Sequence, residues 1–142
     1  MLSQRSHYAL RAMLILATHA EGPPMGAMQI ARAANISPKF LEAILLELRK
    51  SGLLISHRGC KGGFRLARPA QQISFADVVR VTDGSLALAP CADEVAPAKC
   101  EDCFGEDICQ IRHALLKARV QTDEVLRSYD LAGASARTRQ MN

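Results

Sequence analysis

Apolar residues recur at helical spacing through most of the chain, in blocks separated by Gly, Pro and Asn turn signals. Leu10, Met13, Leu14 and Ala17 mark a first helix over about residues 6–20, with these side chains facing a core. Gly22-Pro23-Pro24 breaks it, Met28 to Ala34 makes a second short helix, and Asn35-Ile36 a tight turn. Ser37 then reads as an N-cap and Pro38 as the first helical residue, where its missing N–H costs nothing. The helix that follows puts Leu41, Ile44, Leu45 and Leu48 on one face, with Lys39, Glu42, Ala43, Arg49 and Lys50 elsewhere. Gly52 stops it behind two cations that suit the helix dipole. Two short helices joined by a tight turn predict a helix-turn-helix.

Leu53 to His57 and Phe64 to Ala67 have strand character, and the glycine-rich Arg58-Gly59-Cys60-Lys61-Gly62-Gly63 lies between them. This predicts a β-hairpin wing with a basic tip, in which Arg58, Lys61 and Arg65 can meet phosphates or enter a minor groove. Ser74-Phe75-Ala76-Asp77 opens another helix with a capping box, and Gly84 closes it. From Ile108 the chain turns helical again, with Ile111, Leu115, Ala118, Thr122, Val125 and Tyr129 alternately four and three residues apart. Such a seam suits a helix packed on the same helix of a second subunit. The expected fold class is mainly α, a winged helix-turn-helix with a small β-hairpin. The expected organisation is a DNA-binding domain over 1–84, a cysteine-bearing loop over 85–109, a dimerisation helix over 110–131 and a flexible tail over 132–142.

Charge sharpens this picture. Residues 1–90 carry eleven Lys and Arg against five Asp and Glu, a net of +6, while 91–142 carry seven against nine, a net of −2. Positive charge is concentrated where a nucleic-acid partner needs it. The apolar stretch from Tyr8 to Ala20 contains Arg11 and His19 and is too short to span a bilayer. A cytoplasmic protein with no membrane partner is therefore expected, a setting in which clustered cysteines bind metal or do redox work more often than they form structural disulfides.

Four of the five cysteines, Cys91, Cys100, Cys103 and Cys109, fall within nineteen residues. Six acidic residues and one lysine lie between the first and last of them. Carboxylates beside thiolates argue against a simple reactive-thiol switch, whereas a bound cation reverses that balance. Four thiolates could hold a tetrahedral zinc or an iron-sulfur cluster, 2Fe-2S or 4Fe-4S. The spacing fits neither the usual ferredoxin runs nor a zinc ribbon.

Several runs together carry a family resemblance: Leu2-Ser3 with His7-Tyr8-Ala9-Leu10, Ile36 to Glu42, Leu48 to Leu53, Arg58-Gly59 with Lys61-Gly62-Gly63-Phe64, and the cysteine loop. From about residue 1 to 130 the chain resembles the Rrf-type bacterial winged-helix regulators, which include the IscR, NsrR and RirA regulators. The resemblance implies a homodimer that binds a roughly palindromic double-stranded DNA operator. Ser37, Pro38, Lys39 and Glu42 would face the DNA from the recognition helix, and Arg58, Gly59 and Lys61 from the wing. Glu42 could accept from a cytosine amino group and set selectivity. Cluster-binding members use three cysteines, of which Cys91 and Cys109 match the first and last, while the additional Cys100 leaves Cys100 and Cys103 as alternatives for the centre. Cys100, His7 of a partner subunit or His113 would supply the fourth ligand, because Arg112 stands where some members carry histidine.

The expected function is a DNA-binding regulator, a repressor, that senses iron, redox state or nitric oxide through an iron-sulfur cluster. The alternatives are the same fold with a zinc or thiol site, and a small electron-transfer protein. No Ser-His-Asp set, phosphate-cradling motif or substrate-pocket signature points to an enzyme.

Overall fold

The computed structural model describes residues 2–101, 103, 105 and 107–140, with the side chains of 138–140 left out. Helix α1 (Gln4–Thr18) is followed by α2 (Ala27–Ala34), α3 (Pro38–Lys50), strands β1 (Leu54–His57) and β2 (Gly63–Leu66), then α4 (Phe75–Thr82), α5 (Gln110–Ser128) and α6 (Leu131–Gln140). Short 3-10 turns at Ala70–Gln72 and Pro90–Ala92 punctuate the connections. The strands pair antiparallel, with Leu54 opposite Leu66 and His57 opposite Gly63. This is the expected mainly helical winged helix-turn-helix.

The centre of the fold is α1, which packs against α2, α3, α4, α6 and β2. Its buried residues are Ser6, Ala9, Ala12, Met13, Leu16 and Ala17, while Leu10 and Leu14 are only half-buried. The small residues explain why one helix can accept so many neighbours, since alanine lets backbones approach closely. Ser3 caps α1 by accepting from the Ser6 amide at 3.1 Å. The buried Ser6 hydroxyl is satisfied by Thr82 of α4 at 2.5 Å.

Local signals explain the helix ends. Asn35 adopts the left-handed conformation (φ 52°) that ends α2, and Gly52 (φ 78°) follows α3. In α4, the amide and hydroxyl of Ser74 both donate to the Asp77 carboxylate, and the Asp77 amide returns a bond to Ser74 Oγ at 3.2 Å. Ser37, by contrast, makes no side-chain capping bond, and Pro38 alone starts α3.

The C-terminal region differs from the expected flexible tail. The Phe75 amide donates to the Tyr129 carbonyl at 2.8 Å, and the Leu131 amide to the Ile73 carbonyl at 3.0 Å. These bonds return the chain to the start of α4 and launch α6 against α1, with Leu131 and Ser135 buried. Arg137 lies over the Tyr129 ring at 5.5 Å. The composition of α6 is too poor in large apolar residues to announce this, and the tertiary pairing supplies what periodicity does not.

Candidate DNA-reading face and cysteine loop

The apolar face of α3 is fully spent on the core: Leu41, Ile44, Leu45 and Leu48 are all at most 2% exposed. That burial leaves Ser37, Pro38, Lys39, Glu42, Ala43, Arg49 and Lys50 on the outside. Because Ser37 caps nothing, its hydroxyl is directed to neither of the α3 amides it would ordinarily serve. Phe40 is 66% exposed beside Lys39, a large ring in water that the helical stripe of the sequence did not single out. Its signal was there, since position 40 falls outside the buried stripe 41, 44, 45 and 48.

The wing tip, His57 to Lys61, is exposed throughout. Gly59 (φ 104°) turns the backbone and accepts from the Gly62 amide at 2.9 Å, leaving Arg58 and Lys61 at the end of the hairpin. Arg49 of α3 reaches the Ser56 hydroxyl of β1 at 3.4 Å, which ties helix to wing. Arg65 does not join this basic tip. Its guanidinium donates to the Gly22 carbonyl at 2.5 Å and so anchors the α1–α2 connection onto β2. Met25 and Phe64 reinforce that join by exchanging backbone hydrogen bonds of 3.1 and 2.8 Å. The base of the wing is thus fixed to the helix-turn-helix from two directions.

The cysteine loop leaves α4 through a latch. The Ser3 amide donates to Asp83 at 2.9 Å and the Ser3 hydroxyl also bonds that carboxylate. Burial pushes the Asp83 carboxyl up, but these bonds outweigh it and hold the group below its ordinary range. Beyond, Pro90–Ala92 forms a turn that buries Cys91. The Ala98 amide donates to the Pro90 carbonyl at 3.1 Å, folding the chain back so that Cys100 returns towards Cys91. Asp93 accepts from the Val95 and Ala96 amides inside that fold, which lowers its pKa.

Cys100 feels the other three cysteines of the loop. Hydrogen bonding to Cys91 and the charge of Cys91 raise the Cys100 pKa, followed by burial and by the charges of Cys103 and Cys109. The Cys103 amide donates to the Cys100 carbonyl at 3.3 Å in a one-turn reversal. Cys109 is the N-cap of α5, its Sγ accepting from the Arg112 amide at 3.5 Å. Among the described residues no three His, Cys, Asp or Glu side chains are closed tightly enough to hold a metal as they stand. His113 is exposed and its Nε2 lies 3.2 Å from the Asp107 carbonyl. His7 is exposed on α1, and no described contact joins it to the cysteines of its own chain.

Two arginines of α5 clamp the loop. Arg112 Nε donates to the Cys91 carbonyl at 3.0 Å, and Arg119 pairs with Glu94 at 2.6 Å. The Arg119 side chain is 13% exposed, and its Nε is buried without a partner among the described residues. One turn further on, Asp123 bridges Arg80 of α4 (2.5 Å) and Arg127 (2.6 Å). Burial pushes the Asp123 carboxyl up, yet the two guanidiniums hold it below the usual carboxylate range. The seam residues Ile111 and Val125 stand 73% and 56% exposed, and Tyr129, 43% exposed, is touched by Phe75 and Arg137 among the described residues. No helix among the described residues is long and apolar enough to cross a membrane.

Comparison with known proteins agrees with this arrangement. The chain is 39% identical over 115 residues to the rrf2-like protein of Rhodobacter capsulatus, covering 79% of this chain and 77% of that protein. It is 36% identical over 114 residues to the transcriptional regulator IscR of Xenorhabdus nematophila, covering 80% of this chain and 65% of that protein. Its fold matches CymR, the global cysteine regulator of B. subtilis, with a TM-score of 0.77 at 27% identity over 96% of both chains. The family model that matches residues 2–136 is Rrf2, an iron-dependent transcriptional regulator. With a winged helix-turn-helix, a cysteine loop and a match over nearly its whole length, the chain belongs to the Rrf2 family of transcriptional regulators.

Proposed function

We propose that this regulator is a homodimeric repressor whose cysteine loop holds an iron-sulfur cluster and thereby reports iron, redox state or nitric oxide. The observation that carries the reading is the gathering of Cys91, Cys100, Cys103 and Cys109 at the start of α5, the helix joined to α4 through Asp123 and Arg80. The donor chemistry fits, because soft thiolates suit iron and the α5 N-terminus favours the negative charge of a ligated cluster. Cys91, Cys103 and Cys109 would hold it, with Cys100 as the nearest fourth ligand. His113 is the weaker candidate because its ring faces the Asp107 carbonyl, and His7 could serve only from the partner subunit. Such a cluster supplies oxidant- and iron-sensitive bonds that hold the loop closed while intact.

On the DNA side, residues 1–84 form the reading unit, with α6 docked behind it. Ser37, Pro38, Lys39 and Glu42 meet base edges and phosphates in the major groove, and Phe40 offers an apolar surface to thymine methyl groups. Arg58, Gly59 and Lys61 follow the minor groove. The exposed seam of α5 packs on its copy in the second subunit. Phosphate contacts supply most of the affinity, which falls steeply with salt.

Cluster loss matters only if the two states bind DNA with different free energy. The deciding experiment is anaerobic purification with iron and sulfide quantification, followed by operator titration with and without the cluster. Brown protein with sulfide-labile absorption and a changed affinity on cluster loss supports the reading. Equal affinity in both states refutes the sensor, and a colourless zinc protein refutes the cluster.

A further inference from the structure

We propose that Cys91 and Cys100 are a peroxide-oxidisable dithiol, forming an intramolecular disulfide when the loop carries no metal. The backbone, independently of any cluster, brings the two together: the Ala98-to-Pro90 hydrogen bond closes the intervening loop and sets Cys100 against the turn that holds Cys91. The Cys91 side chain is the largest influence on the Cys100 thiol, ahead of Cys103 and Cys109. Without metal, neither sulfur caps a helix among the described residues, whereas Cys109 Sγ is occupied as the N-cap of α5. Both thiols are free in this structure.

Exposure assigns the roles. Cys100 is exposed and Cys91 is 8% exposed, so Cys100 meets the oxidant and Cys91 resolves the product. The Cys100 sulfur attacks one oxygen of a hydroperoxide, the O–O bond breaks, and a sulfenic acid and an alcohol (water, from hydrogen peroxide) result. The Cys91 sulfur then attacks the sulfenic sulfur, the S–O bond breaks, and water leaves with the Cys91 proton. The two thiols lose two electrons in total and the peroxide gains them. Acidic residues outnumber cations around Cys100 in the sequence, so it is a slow nucleophile, and the response is stoichiometric rather than that of a peroxidase.

The consequence rests on the cluster reading, although the bond itself does not. A disulfide withdraws two of the four gathered sulfurs from ligation, so oxidised protein cannot load a cluster until it is reduced. Oxidant would then act twice on one loop, once by damaging the cluster and again by blocking its rebuilding.

The test uses full-length, metal-free, reduced protein treated anaerobically with hydrogen peroxide, alkylated, and digested without reduction. Trypsin cuts between Lys99 and Cys100 and so separates Cys91 from the other three, and cleavage at Glu101 and the acidic residues beyond it separates those three from each other. The expected result is a dominant Cys91–Cys100 crosslinked peptide and loss of two of the five titratable thiols. C100S abolishes the link while retaining the far-ultraviolet circular dichroism of the parent. A dominant Cys100–Cys103 link, another pairing, or no thiol loss overturns the proposal. Iron and sulfide uptake by the reduced protein is measured in parallel: a link without uptake supports the dithiol and removes the cluster, and uptake without a link does the reverse.

Discussion

Replacing Gly63 with alanine tests whether the base of the wing is fixed to the helix-turn-helix as tightly as the structure shows. Gly63 sits at φ 153°, and a Cβ placed there would lie 2.4 Å from the carbonyl carbon and oxygen of Met25 and 2.8 Å from the Gly26 nitrogen. All three are backbone atoms, so no side chain can turn aside. Ordinary contact requires roughly 1 Å of separation between β2 and the α1–α2 connection. That movement breaks the two Met25–Phe64 hydrogen bonds, worth about 1 kcal/mol each, and adds roughly 1–2 kcal/mol of backbone strain. The total of about 3–4 kcal/mol corresponds to roughly 10 °C in Tm for a chain of this size. Gly59 is the control, with φ 104° but nothing within 4 Å of its Cβ position, so Gly59→Ala should show backbone strain alone, about 1–2 kcal/mol. Thermal unfolding by circular dichroism reads both. A Gly63→Ala protein as stable as Gly59→Ala would show that close approach to Met25 is not what holds the wing.

Val125→Glu, on the exposed α5 seam, should convert a dimer to a folded monomer in light scattering coupled to size exclusion; an unchanged mass would exclude that seam as the interface. Asp123→Asn should lose about 1 kcal/mol at neutral pH, because the carboxylate bridges Arg80 and Arg127 while 23% exposed. Since the folded pKa of Asp123 is lowered, this stability is present above the unfolded value near 3.8 and is lost as pH falls through the folded pKa. The gap between wild type and Asp123→Asn in urea melts should therefore shrink only below about pH 4, and a gap constant down to pH 2 would contradict it. Glu42→Ala should relax base preference at one operator position in a binding-site selection, by about 1–3 kcal/mol, with little change elsewhere.

The boundaries of α2, α3 and α4 were legible because local chemistry sets them: Asn35, Pro38, Gly52 and the Ser74–Asp77 box act on their immediate neighbours. Contacts between distant parts of the chain were not. Arg65 read as a phosphate contact because its basic surroundings suggested one, yet the Gly22 carbonyl that claims it lies 43 residues away in sequence. Helix α6 escaped notice because Ala132, Gly133, Ala134 and Ala136 give no apolar rhythm, and what secures it is Leu131 and Ser135 buried after the Tyr129–Phe75 pairing. The cysteines were legible as a group but not as neighbours within it. Only the folded loop shows that Cys100, the residue that departs from the three-cysteine pattern, lies against Cys91.

Helix α5 carries two kinds of surface, and their arrangement explains how a local event at the cysteines could reach DNA. Arg112, Arg119 and Asp123 recur at spacings of seven and four, so they share one face, while Ile111, Leu115, Ala118, Thr122, Val125 and Tyr129 share another roughly 100° around the helix. The first face holds the loop, through the Cys91 carbonyl and Glu94, and holds α4 through Arg80. The second is the seam, exposed at Ile111 and Val125. A loop that closes or opens therefore pulls on the same face that grips α4, whose Val78 and Val79 are buried, the former in the core beneath the helix-turn-helix. Rotation of α5 in response must move the seam as well, because a helix turns as one body. In the Glu94–Arg119 pair the carboxylate is 70% exposed although the guanidinium is largely buried, so solvent screening holds the bond to about 1 kcal/mol, enough to bias such a movement but not to forbid it. The clamp is thus strong enough to register the state of the loop and weak enough to yield when that state changes.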